Sequence, residues 1–350
     1  MRYVSHRIFA VHLTFLPPSP TMERVIISSS VAHQFPSDAP VVGRYAPSPS
    51  GDLHLGNLRT ALWAWLEARS SEGKFVMRVE DLDRVKKGAA ERQLADLQAL
   101  GIDWDGEVLY QSTRIADYQQ VVEELTAQGL TYECFCTRKE IQSATSAPHA
   151  APGAYPGTCR NLSEDERSRR RQDRPGAIRL RAQMREFTVV DDIAGEFTSD
   201  VDDFVLLRND GTAAYNLASV LDDRYQGVTQ IVRGDDLLSS TPRQAYLANL
   251  LGFPAPRYRH VPLALNGKGD RLAKRDGAVT LAEIRDRGVK DAEVLALIAA
   301  SFPLKTIESD GTARFSSSAA EMLDVYQDSQ PSNTPWTVQD EILKGVTIGD

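Results

Sequence analysis

Residues 41–57 read VVGRYAPSPSGDLHLGN, and the change of character midway through this stretch decides the fold. Val41 to Tyr45 is a short apolar run that suits a strand, and it gives way to a loop dense in proline, serine and glycine. A helix follows, with Leu58, Leu62, Trp65 and Leu66 at helical spacing on one face. Strand, loop and helix in that order offer a phosphate the unpaired N–H groups and the positive end of a helix. Gly51 and Gly56 let the main chain approach such a ligand, and His54 adds a side-chain donor. Composition alone also allows an ordinary strand-to-helix loop with a surface histidine, because a Gly-rich loop is weak evidence by itself.

Outward from this point, Lys74 to Glu80 (KFVMRVE) reads as a strand closed by Asp81 and Asp83. Helices over about 88–100 and 114–128 stop at Gly101 and Gly129. Strands alternating with helices of this length predict an α/β fold with a parallel sheet and helical crossovers. Residues 131–190 break the rhythm with three cysteines, the low-complexity run SATSAPHAAPGA and an Arg-rich helix, and so read as an insertion. The rhythm returns in FVLLRNDGTAAYNLASVLDD and VTQIVRGDDLL, two strands separated by a helix. Beyond His260 the loop NGKGDRLAKRDGA leads into a helical segment. The expected division is a disordered extension over 1–40 with Met22 as a plausible start, and core halves at 41–130 and 191–260 around the 131–190 insertion. The basic loop and helical segment take 261–303, and a disordered tail 304–350.

Bulk properties narrow the choice. A 350-residue chain with 42% hydrophobic and 25% charged residues is that of a soluble globular protein. A net charge of −8 argues against a broad, sequence-blind polyanion surface, yet leaves room for a local positive patch. Arg167 to Arg174 (RSRRRQDR) could supply one, or could be solvated surface. No apolar run approaches the ~18 residues of a membrane span. The N-terminal residues loosely resemble a signal peptide but lack a small-residue cleavage pattern, and Pro17, Pro18 and Pro20 follow directly, so a cytoplasmic location is expected.

Three further constellations carry chemistry. Glu80, Tyr215 and Arg233 stand at or near the C-terminal ends of strands, the edge where open α/β sheets bind ligands. The bland alternative pairs Arg233 with Asp235 or Asp236 and makes Tyr215 a core aromatic. Arg271-Leu272-Ala273-Lys274-Arg275 is a basic, Gly-bounded loop. Cys134, Cys136 and Cys159 are odd in number and clustered, which argues against a disulfide framework; with Tyr155 four positions before Cys159, they suit a tetrahedral zinc site that needs one more N or O ligand. His149 is the generic candidate for that ligand.

The stretch RYAPSPSGDLHLGNLRTAL closely resembles the signature loop of glutamyl-tRNA synthetases and their relatives, class I enzymes with a Rossmann-like core. That resemblance covers about 41–300. It implies that His54-Leu55-Gly56-Asn57 stands for the HIGH-type tetrad that binds ATP phosphates, with Asn57 in the second histidine position. It further implies that Arg44 and Arg233 grip carboxylates of the amino acid, Ser48 helps hold it, Glu80 meets its ammonium and Tyr215 hydrogen-bonds it. Lys274 then keeps the second lysine of the KMSKS-type loop, while Ala273 and Arg275 replace both serines. The spacing CxC followed by YxxxC is similar to that of the glutamyl-Q tRNA(Asp) synthetases, which implies Tyr155 as fourth ligand to one structural zinc. That branch is also a free-standing catalytic half, and here only the stretch to Asp350 follows Arg275. The implied reaction uses ATP and Mg²⁺ to activate glutamate without tRNA and then esterifies it to queuosine at the wobble position of tRNA(Asp), in a monomer. Two alternatives are a shortened glutamyl-tRNA synthetase that charges tRNA(Glu), and an inactive paralogue serving as a tRNA-binding module.

Overall fold

In the computed structural model, which describes residues 29–145, 155–266, 269, 272, 279–302, 305–307, 313–326 and 335–338, the opening stretch forms strand β1 (Val42–Tyr45) and helix α1 (Leu55–Ser70). The chain continues through β2 (Lys74–Val79), α2 (Ala89–Ala99), β3 (Leu109–Tyr110) and α3 (Ile115–Ala127). Both helices end where glycine takes over, at Gly101 and Gly129 with φ of 77° and 71°. Next come β4 (Thr131–Cys134), α4 (Arg138–Thr145), α5 (Glu164–Asp173), β5 (Ala177–Leu180), β6 (Glu186–Asp191), β7 (Gly195–Asp200) and β8 (Val205–Leu207). Helix α6 (Tyr215–Tyr225), β9 (Gln230–Gly234), α7 (Thr241–Leu250), β10 (Arg257–Val261) and β11 (Ala264–Leu265) complete the core. The C-terminal part holds α8 (Leu281–Asp286), α9 (Asp291–Ser301), β12 (Lys305–Ile307), β13 (Ala313–Phe315), α10 (Ala319–Tyr326) and β14 (Trp336–Thr337).

Strands β1, β2 and β3 form one parallel sheet in that order, and a second runs β7-β6-β10-β9, parallel except for its edge strand β7. The two meet edge to edge: Thr229, just before β9, donates its N–H to Val42 O at 3.0 Å and accepts the Val42 N–H on Oγ1 at 2.9 Å. From β1 the chain winds outward through β2, and from β9 it winds the other way through β10. The seam between β1 and β9 is therefore a topological switch point, and its carboxyl end is where an open α/β sheet leaves room for a ligand. Arg44 lies on β1, Arg233 on β9, and Glu80 directly follows β2.

Helix α1 departs from the amphipathic expectation. Trp63, Ala64 and Arg59 are as buried as Leu58 and Leu62, because α1 is packed between the sheet and the C-terminal helices. Met322 and Tyr326 of α10 share its core with Leu295, Ile298 and Phe302. The stretch expected to be a disordered tail thus contributes a helix: its weak periodicity hid residues that fill a gap on α1. Likewise residues 29–40 are not loose, since Val31 bridges Thr188 and Gln34 bridges Ala255. Residues 1–28, with Met22, lie outside the described residues.

The insertion builds its own antiparallel sheet, β4-β5-β8, with a small core of Tyr132, Cys134, Phe135, Tyr155 and Cys159. Its edge is not a clean cut at 190: β6 already belongs to the central sheet, and β8 returns to the insertion.

Candidate active site and cysteine cluster

A cleft of about 1000 Å³ opens at the switch point, bordered by the strand ends, the loop before α1 and the insertion. His54 caps α1: its Nδ1 accepts the Asn57 N–H at 3.3 Å, and Asn57 Oδ1 accepts the His54 N–H at 3.3 Å. Asn57 thus serves as the N3 half of a capping box. With Nδ1 accepting, Nε2 is left as the ring donor. Gly56 is needed because a Cβ there would come within 3.1 Å of His54 Cε1 and 3.4 Å of Ala264 Cβ. Gln93 on α2, 2% exposed, braces the loop by donating to Gly51 O at 2.6 Å and Ser48 O at 3.1 Å. Nothing local in the sequence marks Gln93, whose partners lie more than forty positions away.

Two guanidinium groups reach the cleft floor from β1 and β9. Arg44 donates to Val232 O at 3.1 Å and lies 3.6 Å from Asp223, while its buried Nε has no hydrogen-bond partner among the described residues. Burial lowers its pKa, opposed by Asp223 and reinforced by Arg78 and Arg233. Arg78, fully buried, pairs with Asp223 at 2.9 Å and stands 3.6 Å from Glu80. Burial raises the Glu80 pKa against the pull of Arg78 and Arg44. Arg78 and Asp223 were not anticipated from sequence. Their pairing depends on β2 and α6 meeting behind the floor.

Arg233 does not follow the bland alternative. Its Nε donates to His260 Nε2 at 3.0 Å, Nη2 to Thr241 Oγ1 at 2.8 Å and Nη1 to Tyr215 Oη at 3.4 Å. Tyr215, 41% exposed at the start of α6, is a cleft wall rather than a core aromatic. Behind Arg233, His260 Nδ1 lies 2.7 Å from Asp191 Oδ2. Arg44, Ser48, His54, Gly56, Asn57, Glu80, Tyr215 and Arg233 all border the one cleft. Lys274 and the rest of the loop from Arg271, Leu272 excepted, lie outside the described residues.

The local charge differs from the chain's net charge. Arg84, Arg138, Arg174, Arg179 and Arg208 line the cleft with Arg44 and Arg233 against Asp52, Glu80, Asp83 and Asp236, so cations outnumber anions there although Arg208 is paired with Asp83 at 3.0 Å. The Arg167–Arg174 run is partly neutralised: Arg171 pairs with Glu133 and Glu164, and Arg167 with Glu164. Arg174, at its end, is the member that borders the cleft.

The sulfurs of Cys134, Cys136 and Cys159 lie within 4.8 Å of one another, with Cys136 and Cys159 3.5 Å apart. Tyr155 Oη stands 3.2 Å from Cys134 Sγ and 3.6 Å from Cys136 Sγ, and accepts the Cys159 N–H at 2.9 Å. A tetrahedral cation with metal–sulfur bonds of ~2.3 Å would hold sulfurs ~3.8 Å apart, so the cluster could hold a metal with little adjustment. Burial pushes the Cys136 thiol up to about 11, with Cys134 and Cys159 adding to it. Burial opposes ionisation of Cys134 too, but Tyr155, the Cys136 N–H and Arg179 bring its pKa down. Arg179 also lies over the Tyr155 ring, 3.7 Å from its centroid. His149 lies outside the described residues. Cys134 and Cys136 border the same cleft as His54, so the cluster is closer to the ligand space than a remote insertion would be.

This sheet order, with a capped helix start facing buried strand-end arginines across one cleft, defines the catalytic core of a class I synthetase. The chain belongs to the family of tRNA synthetases class I (E and Q), whose catalytic domain matches residues 40–310. Within it, the chain is similar to proteins named glutamyl-Q tRNA(Asp) synthetase. That of Nocardia farcinica is 62% identical over 263 residues, 75% of this chain and 85% of that protein. That of Cutibacterium acnes is 50% identical over 270 residues, 76% and 77% respectively. The fold matches the crystal structure of a glutamate tRNA ligase from Elizabethkingia meningosepticum in complex with its amino acid, at a TM-score of 0.71 and 27% identity, over 87% of this chain and 68% of that one. Among the described residues no helix is long and apolar enough to cross a membrane.

Proposed function

We propose that this protein activates glutamate with ATP, without tRNA, and transfers it to queuosine at the wobble position of tRNA(Asp), acting as a cytoplasmic monomer. In the first step a carboxylate oxygen of glutamate attacks the α-phosphorus of ATP, forming glutamyl-adenylate and releasing pyrophosphate. In the second, a hydroxyl of the queuosine cyclopentenediol attacks the acyl carbon and AMP leaves. No covalent enzyme intermediate is required, so rate enhancement comes from positioning and charge stabilisation.

The observation that carries this reading is the charge pattern of the cleft floor. Glutamate has two carboxylates and one ammonium, and Arg44, Arg233 and Glu80 supply two cations and one anion at adjoining strand ends. Arg44 and Arg233 would each grip a carboxylate, Glu80 the ammonium, and Tyr215 and Ser48 would add hydrogen bonds. The α1 start, with His54, Gly56 and Asn57, would take the ATP phosphates, and Mg²⁺ would be held mainly by phosphates and water. Lys274 would meet the charge that develops as pyrophosphate leaves.

Zinc is the cation we assign to Cys134, Cys136 and Cys159, with Tyr155 as the fourth ligand in a structural site. Burial holds the Tyr155 phenol above its usual range, and a bound cation is what would displace its proton.

The test is glutamate-dependent ATP–pyrophosphate exchange without tRNA, followed by transfer of labelled glutamate to tRNA(Asp) with and without queuosine. Exchange without tRNA is expected, with labelling that survives periodate treatment of the 3′ end and requires queuosine. Labelling of the 3′ end of tRNA(Glu) instead would overturn the acceptor; absence of exchange under all conditions would overturn the activity.

A further inference from the structure

Strands β6, β10 and β9 lie side by side, and His260 and Arg233 are register partners in the parallel β10–β9 pair. Their side chains therefore rise on the same face of the sheet. The hydrogen bond between them has only one chemically allowed direction. An arginine Nε can donate but not accept, and it lies 3.0 Å from His260 Nε2, so Nε2 is the unprotonated nitrogen. The ring proton is then on Nδ1, facing Asp191 Oδ2 at 2.7 Å. Asp191 is fixed in turn by N–H groups from His260 on Oδ2 at 3.0 Å, and from Ile193 and Ala194 on Oδ1 at 2.9 and 2.8 Å. Asp191, His260 and Arg233 are 2%, 2% and 4% exposed, so water does not compete for these bonds.

The consequence for Arg233 is directional. With Nε held by His260 and Nη2 by Thr241 Oγ1, the planar guanidinium cannot turn about its long axis. Nη1, whose one hydrogen bond among the described residues is the long 3.4 Å approach to Tyr215 Oη, is left on the cleft side. A protonated His260 would set a second N–H against that of Arg233. Burial, the largest influence, lowers the His260 pKa; Asp191 pulls it up, Arg233 pushes it down, and the net direction is downward.

We propose that His260 is a positioning residue of the glutamate site: as the Nδ1–H tautomer anchored on Asp191, it accepts the Arg233 Nε–H and aims the guanidinium at a substrate carboxylate. This rests on the reading that Arg233 grips glutamate. Two polar replacements separate the aiming role from a merely structural one. In His260→Gln the side-chain oxygen reaches the position of Nε2 and can still accept from Arg233. In His260→Asn the shorter amide reaches only the Nδ1 position, beside Asp191.

The full-length protein is assayed by glutamate-dependent pyrophosphate exchange, with ATP and glutamate titrated separately, and thermal unfolding is recorded for each variant. The Asn variant is expected to raise the glutamate KM about tenfold or more, with the ATP KM changed by less than about threefold. The Gln variant should restore the glutamate KM to within about threefold of the parent. Equal glutamate KM values in the two variants would overturn the proposal, as would an Asn variant that loses its fold instead of its affinity. Arg233→Ala in parallel separates the two claims: if it leaves the glutamate KM unchanged, the substrate reading fails, whereas a raised KM there with an unaffected Asn variant removes only the role of His260.

Discussion

The two ends of the cleft are held together by different physics. The floor, with Arg44, Arg233 and Glu80, is built into the central sheet: Arg44 and Arg233 are each tied to a buried group from another strand or helix, and Glu80 stands 3.6 Å from buried Arg78 of β2, the strand it follows, which in turn pairs with Asp223 of α6. The cysteine wall rests on one face of the three-stranded sheet β4-β5-β8, where the described core is little more than Tyr132, Phe135, Tyr155 and two of the cysteines themselves, while Leu180 and Leu206 of the same sheet join the larger core with Leu217 and Tyr246. The cysteine side of that sheet buries little apolar surface of its own, and that is where a staple would act. The floor derives its order from the fold, whereas the cysteine side of the wall would gain part of its order from the proposed metal. The two should therefore fail separately when each is challenged.

The sharpest challenge to the floor is Arg233→Ala. It removes a buried cation that lies beside Tyr215, and it leaves His260 Nε2 with the Thr241 hydroxyl, 3.0 Å away, as its remaining partner. Glutamate-dependent exchange at low glutamate is expected to fall by about a hundredfold or more, with the metal content of the protein unchanged. Loss of metal in this variant would show that floor and wall form a single unit.

The wall is challenged by chelation or by Cys159→Ser. Either is expected to cost the lobe on the order of several kcal/mol, read as lost hydrogen-exchange protection in β4 and β5. Transfer to tRNA should be lost, while tRNA-independent exchange falls by less than about tenfold, because Arg44, Glu80 and Arg233 are anchored outside the lobe. If chelation abolishes exchange as completely as Arg233→Ala does, Cys134 and Cys136 support the floor from across the cleft.

The same contrast explains what could be read from the residues in order. The helix start at His54, the strand-end positions of Glu80 and Arg233, and the cysteine spacing are local patterns, and each survives translation into three dimensions. The supports behind them are not local. Asp191 and His260 stand 69 positions apart and meet only because β10 lies beside β6. Arg78 meets Asp223 through the packing of α6 behind β2, a relation that no periodicity encodes. Helix α1 misled for a related reason. Glu67 and Arg59 look like a solvent face, but Glu67 is bonded to Tyr326 and Arg259, and Arg59 donates to Pro262 O and lies over the rings of Trp63 and Phe302. Buried charges look exposed until their partners are located.

The smallest expected effect tests the junction between these regimes, the α1 start. The capping bonds of Asn57 are local: both are to His54, three positions away, while its carbonyl accepts from Tyr45 Oη of β1 at 3.3 Å. Asn57→Ala removes the reciprocal half of the capping box and leaves the His54 N–H without its acceptor, at a cost of about 1 kcal/mol. Helix α1 itself should persist, because both of its faces are buried against the sheet and the C-terminal helices. The loss is therefore expected in the orientation of the His54 ring, as a fall in kcat of about two- to fivefold, with the glutamate KM unchanged and a fall in Tm of only a few degrees. A rise in glutamate KM as large as that of Arg233→Ala would mean that the helix start and the strand ends hold the amino acid jointly, and that the cleft floor extends to the phosphate loop.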